Sequence, residues 1–418
     1  MKKIKVGVVG IGRGMGFACG ANDLVGMQLV ALCDCRKDAL AKARKTFADR
    51  GLKIATYTDY DKFLEHDMQA VILANYFHQH APFAIKALAA GKHVMSETTA
   101  CFTPAEGVAL VEAVEKSGRI YMFAENYPYM LFNQEMRRIF QSGEIGTFTY
   151  GEGEYVHPAD ADFCNAISPG VNHWRNWIPA TYYCTHSLAP IMFITDTRPA
   201  KVNGFVMPRA DDDPVMKLTP RVNDAASMIT VRMDNGAVAK LLQVSLRGEG
   251  IWVRIHGSRG QMENLRHGHS QMVRLRREQY HEGTCEPVEQ IYLPAFPEHH
   301  AQALRAGHGG GDFFMNFHFA DAIRRGTPPY LDVYRGVAMS LVGILAYRSA
   351  LQDSNTLDVP DFRSKRVRAR YANDHWSPDP ACRKEGDPWP SILGKLKPGK
   401  EGLAYAKKVW RTIGYTGR

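Results

Sequence analysis

Ten residues into the chain an apolar run breaks into glycines: Val8-Val9-Gly10-Ile11-Gly12-Arg13-Gly14-Met15-Gly16. A buried strand that turns through glycines into a helix is the opening of a nucleotide-binding βαβ unit. The missing side chains let the backbone turn tightly and approach a pyrophosphate held at the helix N-terminus. The register departs from strict G-x-G-x-x-G, because Met15 holds the third position between two glycines. Asp34 closes the next apolar run, 22 residues after Gly12. There a carboxylate accepts hydrogen bonds from ribose hydroxyls and disfavours a 2′-phosphate, so NAD is expected rather than NADP, with Arg36 and Lys37 nearby as the opposing signal.

The stretch around this turn alternates strand and helix. Strand-like runs at 6–9, 29–33, 71–74, 94–96 and 120–123 are separated by helical patterns, which predicts a doubly wound parallel sheet. One helix carries its own punctuation: Thr103-Pro104-Ala105-Glu106 is a capping box with proline at the first helical position, and Lys116 and Gly118 mark the far end. After about residue 146 the pattern changes. Runs at 147–155, 225–233, 237–245 and 251–256, with the hairpin signal Asp234-Asn235-Gly236, predict a largely antiparallel sheet. Helical character returns over 312–325 and 334–351. The expected class is α/β: an N-terminal Rossmann domain over 1–125, then an α+β substrate and oligomerisation domain over 126–362 with a large, open, mainly antiparallel sheet. Residues 363–418 read as an irregular basic arm anchored by Trp376, Trp389 and Trp410.

Composition narrows the function classes. The net charge of +9 is accounted for by 363–418, which hold 14 Lys/Arg against 5 Asp/Glu. A near-neutral body with a charged tail reads as a solvated or subunit-contacting arm and not as a nucleic-acid surface. No run of about 18 apolar residues marks a membrane span, and Met1-Lys2-Lys3 leads into a strand and not a signal peptide. Eight cysteines without a C-x-x-C pair read as reduced thiols in a cytoplasmic protein. The 16 histidines show no zinc-type spacing, so no metal is expected.

Two further stretches carry a family resemblance. Ala74-Asn75-Tyr76-Phe77-His78-Gln79-His80 and Gly91-Lys92-His93-Val94-Met95-Ser96-Glu97 resemble the A-T-P-N-H-x-H and G-K-H-V-x-x-E-K-P signatures of the Gfo/Idh/MocA oxidoreductases. The resemblance runs to about Phe362. It implies a site in the cleft between two domains, with Asn75, His78, His80, Glu97 and Asn126 joining Gly10, Gly12, Arg13, Gly14, Met15 and Asp34 on the NAD side. Lys92 and His93 read as structural residues of the turn before a strand. Where dehydrogenases of the family carry the lysine of E-K-P, this chain has Thr98. A threonine cannot replace a cationic amine in proton removal.

In order along the chain stand Glu125-Asn126-Tyr127, Gly153-Glu154-Tyr155-Val156-His157, Tyr183-Cys184-Thr185-His186, Gly307-His308-Gly309-Gly310-Gly311-Asp312 and Leu331-Asp332-Val333-Tyr334. As a set they resemble the NAD-dependent glycosidases of glycoside hydrolase family 109, a branch that also lacks the lysine. That resemblance implies transient oxidation at sugar C3, elimination, water addition and re-reduction, on an N-acetylhexosamine class of substrate. His186 and Tyr183 would serve the oxidised hydroxyl, Tyr155 the C2 proton and Glu125 a substrate hydroxyl, with Tyr155 and Tyr183 also lining the sugar site. His308 either shapes the substrate loop or caps the helix of Asp312. Cys184 replaces the proline of the family's Y-P-T-H. A net sugar dehydrogenase and a non-catalytic NAD-binding regulator are the alternatives. An open sheet face calls for cover, which points to a homodimer or homotetramer, and the tail could reach a neighbouring subunit.

Overall fold

The computed structural model describes residues 3–415 and 417, apart from 249, 281, 282, 284 and 285. The chain first builds β1 (Ile4–Val9), α1 (Gly14–Gly20), β2 (Met27–Cys33), α2 (Lys37–Ala48), β3 (Ala55–Tyr57), α3 (Tyr60–Leu64), β4 (Ala70–Leu73), α4 (His80–Ala89), β5 (His93–Glu97), α5 (Pro104–Ser117), β6 (Tyr121–Ala124) and α6 (Leu131–Gln141). There follow β7 (Phe148–Val156), α7 (Ala161–Ala166), α8 (Thr185–Thr195), β8 (Pro199–Met207), α9 (Pro214–Lys217), β9 (Ala226–Met233), β10 (Val238–Val244), β11 (Ile251–Gly257), β12 (Gly260–Asn264), β13 (Val273–Arg277) and β14 (Val288–Tyr292). The chain ends with α10 (His300–Ala303), α11 (Gly311–Arg325), α12 (Val333–Ala350), β15 (Leu357–Asp358), α13 (Lys365–Arg368) and α14 (Lys400–Thr412).

Two compact units result. The first comprises residues 1–135, 294–340 and 361–374; the second comprises 136–293, 341–360 and 375–418. Among the described residues the first holds a six-stranded sheet in the order β3-β2-β1-β4-β5-β6, every pairing parallel. β1 and β4 are buried nearly throughout, which is why their sequences are continuous apolar runs without alternation. The expected α5 punctuation is present. The Thr103 hydroxyl accepts from the Glu106 N–H at 3.2 Å, and the Glu106 carboxylate accepts from the Phe102 N–H at 2.8 Å. Gly118 ends the helix in the left-handed region.

The second unit holds a nine-stranded sheet ordered β14-β13-β12-β11-β7-β10-β9-β8-β15, antiparallel except where β7 meets β10. Asp234-Asn235-Gly236 makes the β9–β10 turn. Along β7 the faces alternate. Glu152 and Glu154 lie on one face, where Glu152 pairs with Lys240 and Arg254, and Glu154 pairs with Arg266 at 2.8 Å. Gly151, Gly153 and Tyr155 lie on the other, toward α8; a Cβ at Gly153 would overlap the Ser187 carbonyl oxygen.

Two expectations need correction. The contiguous division at 125/126 and 362/363 misses the return of the chain to the first unit. There Asn316 of α11 donates to the Phe17 carbonyl at 3.1 Å, the Ser340 hydroxyl accepts from the Ala100 N–H at 3.0 Å, and Arg368 grips Glu115 with two bonds of 2.6 and 2.8 Å. The segment 363–418, expected as an irregular arm anchored by aromatic residues, also contains helix. It ends in α14, and the Trp410 indole donates to the Asn165 carbonyl at 3.0 Å. Asp224, buried in the second unit, accepts from the Ser391 hydroxyl at 2.6 Å and the Ile392 N–H at 2.9 Å. The contacts of Trp410, Ser391 and Ile392 are with side chains and carbonyls distant in sequence.

Candidate functional site

In the first unit the glycine turn divides its labour by position. Gly10 has φ +79°, and a Cβ there would overlap the Ala74 carbonyl oxygen. A Cβ on Gly14 would stand 2.7 Å from Val8 Cγ1, so this residue permits the close helix–strand packing that the third glycine of the motif serves. The departure at Met15 is thus met one residue early. At Gly12 a Cβ would meet nothing of the protein within 4 Å. A glycine that packing does not require, on a turn at the end of a strand, leaves room for a ligand's phosphates. Asp34 accepts from the Ile11 N–H at 2.9 Å and the Arg36 N–H at 2.9 Å, which fixes its carboxylate beside the turn. These residues fit NAD.

Arg13 does not point at this space as a free cation. Its Nε donates to Glu97 at 2.8 Å, and its two terminal nitrogens grip Asp312 at 2.9 and 2.7 Å, a bidentate pair. Burial would lower the guanidinium pKa, but Glu97 and Asp312 outweigh it and raise it. Burial likewise would raise the Asp312 carboxyl, yet hydrogen bonds from His308 and Arg13 bring it down to about 2. His308 Nδ1 stands 3.0 Å from Asp312. This contact is with the Asp312 side chain; the helix that Asp312 opens has no side-chain cap. Glu97 also accepts from the Thr98 N–H at 3.2 Å, so the residue in the lysine's place is held against the acid before it.

The remaining cofactor-side residues separate into two kinds. Both amide atoms of the Asn75 side chain are buried without a partner among the described residues. An amide so placed carries a desolvation cost that a bound ligand's polar group would relieve. His78 lies edge-on to Phe102 at 6.2 Å. His80 is buried, with its ring nitrogens 3.0 Å from the Thr99 carbonyl and 3.2 Å from the Asn75 carbonyl. Burial takes its pKa down to about 4. It therefore ties the two signature loops together. Glu125 is fully buried and accepts from the Tyr127 N–H at 3.3 Å, and the Asn126 carbonyl accepts from Tyr129 at 3.1 Å. As expected, Lys92 and His93 are structural: Lys92 donates to the Met68 carbonyl at 2.9 Å and His93 accepts from the Ile120 N–H at 3.0 Å.

In the second unit the three proposed catalytic side chains come together. Tyr155 is the penultimate residue of β7, Tyr183 closes a short 3-10 turn and His186 sits in the first turn of α8. The Tyr155 ring meets His186 edge-on at 4.6 Å and stacks on Tyr183 at 5.5 Å; Tyr183 meets His186 at 5.1 Å. The approach of α8 to β7 over Gly153 makes this possible, and Ser187, the next residue, locks it by donating to Gln243 at 2.8 Å. Sequence reasoning missed two neighbours. Trp174 lies parallel to Tyr183 at 6.0 Å, and His157 lies 5.6 Å from Tyr155. His157 stood in a quoted motif, but for Trp174 only the dense aromatic run His173-Trp174-Arg175-Asn176-Trp177 gave a signal.

Among the described residues no three His, Cys, Asp or Glu side chains gather as a metal site, and no helix is long and apolar enough to cross a membrane. The described cysteines are unbridged; Cys285 lies outside the described residues.

Comparison with known proteins gives three matches to family models along the chain. Residues 4–125 match the oxidoreductase family, NAD-binding Rossmann fold; 133–263 match the Gfo/Idh/MocA C-terminal domain; 208–369 match the glycosyl hydrolase 109 C-terminal domain. A glycosyl hydrolase family 109 protein of Saccharopolyspora erythraea is 26% identical over 415 residues, covering 90% of this chain and 87% of the relative. One of Shewanella pealeana is 26% identical over 393 residues, covering 87% and 86%. Among solved structures, levoglucosan dehydrogenase in complex with NADH and levoglucosan superposes with TM-score 0.73 at 20% identity, covering 86% of this chain and 100% of that one. An aldose-aldose oxidoreductase from Caulobacter crescentus does so with TM-score 0.67 at 18% identity, covering 85% and 100%. Both likenesses speak for the fold.

Proposed function

We propose that this chain, which belongs to the Gfo/Idh/MocA oxidoreductases, is an NAD-dependent carbohydrate-active enzyme that cleaves a glycoside through a transient oxidation of the sugar ring. The observation that carries the reading is the mutual contact of Tyr155, Tyr183 and His186 in a chain that has Thr98 where the family's lysine stands. Proton transfer has been moved from an amine to two phenols and an imidazole, groups suited to exchanging protons near neutral pH. The glycosyl hydrolase 109 names of the relatives support the same reading.

NAD, when bound, supplies reversible two-electron oxidation of a sugar carbinol carbon. Gly10, Gly12, Gly14, Asp34 and Asn75 would hold it. The protein's own work is with protons. His186 and Tyr183 take and return the proton of the hydroxyl that becomes a ketone at C3. Tyr155 takes the C2 proton that this ketone acidifies, and the C1 substituent then departs by elimination. Addition of water at C1 returns a proton to C2 and leaves the C3 ketone; return of the hydride to C3, with the hydroxyl proton handed back by His186 and Tyr183, would restore the sugar. The buried setting of His186 keeps these transfers out of bulk water.

Incubating NAD-loaded protein with a panel of glycosides in deuterated water tests the reading, with mass spectrometry scoring aglycone release and deuterium at C2 while absorbance follows NADH. Release with C2 deuterium and no net NADH is the expected result. Steady NADH without cleavage would overturn it in favour of net sugar oxidation, the activity for which levoglucosan dehydrogenase is named. Silence in all channels would leave the chain an NAD-binding regulator.

A further inference from the structure

We infer that the second unit carries a subsite for a second sugar ring, formed by Phe163 and His157 beside Tyr155 and held in place by the C-terminal helix. The inference rests on the carbohydrate reading above and extends it to the substrate class: glycosides whose leaving group is itself a sugar.

Four rings in addition to Tyr155 form a chain of neighbours through the proposed catalytic cluster, Trp174 on one side and His157 and Phe163 on the other. Trp174 and Tyr183 are parallel within 9°, Tyr183 and Tyr155 within 14°, and beyond Tyr155 the His157 ring stands 5.6 Å away. His157 and Phe163 are again nearly parallel, at 6.1 Å and 13°. Phe163 is 46% exposed and His157 is exposed. A single exposed phenylalanine is unremarkable on any protein. An exposed phenyl ring with a parallel imidazole beside it, one ring away from the proposed sugar site, gives the apolar face of a second pyranose a surface to stack on.

The pair is not on a loose loop. Asp160 caps α7, accepting from the Phe163 N–H itself at 2.7 Å. At the other end of that six-residue helix the Asn165 amide donates to the carbonyls of Ala161 at 2.8 Å and Leu218 at 2.9 Å. From outside, α14 holds it twice: Trp410 donates to the Asn165 carbonyl at 3.0 Å, and the Tyr405 hydroxyl donates to Asp162 at 2.7 Å. The matched family ranges end at residue 369, whereas α14 spans Lys400–Thr412. The segment that lies outside the family models thus sets the position of one ring. Trp410 and Tyr405 are positioning residues; Phe163 and His157 would touch the sugar.

The test is isothermal titration of NAD-loaded protein with α- and β-methyl N-acetylhexosaminides and with N-acetylhexosamine disaccharides of the same linkages. The wild type is expected to bind a disaccharide about tenfold more tightly than the matching methyl glycoside. Phe163→Ala should erase that difference while leaving the methyl glycoside within about twofold, and Phe163→Tyr should keep it. Trp410→Phe keeps the ring and removes the bond to Asn165, and should weaken disaccharide binding alone. Equal affinity of the wild type for both ligands, or equal loss of both in Phe163→Ala, would overturn the subsite. An unchanged disaccharide affinity in Trp410→Phe would overturn the role of the terminal helix. If no glycoside binds, the carbohydrate reading fails and the subsite with it; if methyl glycosides bind and are cleaved while the disaccharide has no advantage, only the subsite fails.

Discussion

Asp312→Asn isolates the clasp that joins the glycine turn to α11. In the wild type the Asp312 side chain is 11% exposed and receives both terminal nitrogens of Arg13 and the imidazole of His308. Its carboxyl lies at about 2 against an ordinary 3.8. A shift of that size corresponds to about 2.4 kcal/mol of folding free energy. The sign follows from the lowered value. The contribution is fully present above the unfolded pKa and disappears as pH falls through the folded one, with about half of it gone by pH 3. Urea unfolding of the wild type and Asp312→Asn at pH 7 and pH 3 measures it. The six tryptophans all lie in the second unit, so their fluorescence is blind to the clasp. Hydrogen exchange of peptides covering 10–20 and 308–325, together with far-UV circular dichroism, gives the local readout. The variant should lose roughly 2 kcal/mol at pH 7 and differ from the wild type by about half of that at pH 3. A gap that is the same at both pH values would refute the argument, since the loss would then come from packing and not from ionised Asp312.

Two further substitutions separate packing from cofactor. Gly12→Ala should leave urea stability within about 0.5 kcal/mol, because nothing lies within 4 Å of the new methyl, yet weaken NAD binding in a fluorescence titration. Gly10→Ala should destabilise the first unit itself; wild-type NAD affinity in Gly12→Ala would remove the phosphate reading of the turn. In the second unit, Tyr155→Phe and His186→Ala should each lower turnover by about 10²- to 10⁴-fold with the unfolding midpoint little changed, and near-wild-type turnover in either would dismiss that residue from proton transfer.

The first sheet was legible from the chain because its information is local. Buried parallel strands show as apolar runs, glycines are required where a backbone carbonyl or a strand side chain stands too close for a Cβ, and Thr103, Glu106 and Gly118 punctuate a helix within their own neighbourhood. The catalytic candidates were found differently. Tyr155, Tyr183 and His186 were chosen by resemblance to ordered motifs; what brings their rings together, the passage of α8 over Gly153, is a packing fact that no local pattern contains.

Local pattern alone therefore carries the strand–helix alternation, the turn and the acid that suit NAD, and the threonine at 98 in place of the expected lysine. The tertiary fold decided that Arg13 is paired with Asp312, 299 residues away in sequence, and that the His80 ring lies between the backbone carbonyls of Thr99 and Asn75. It also decided that the basic C-terminal segment ends as a helix on its own unit. The physical reason is one and the same. Secondary structure is set by side chains a few residues apart, whereas the charge state of a buried group and the orientation of a ring depend on whichever distant segment the fold places against them.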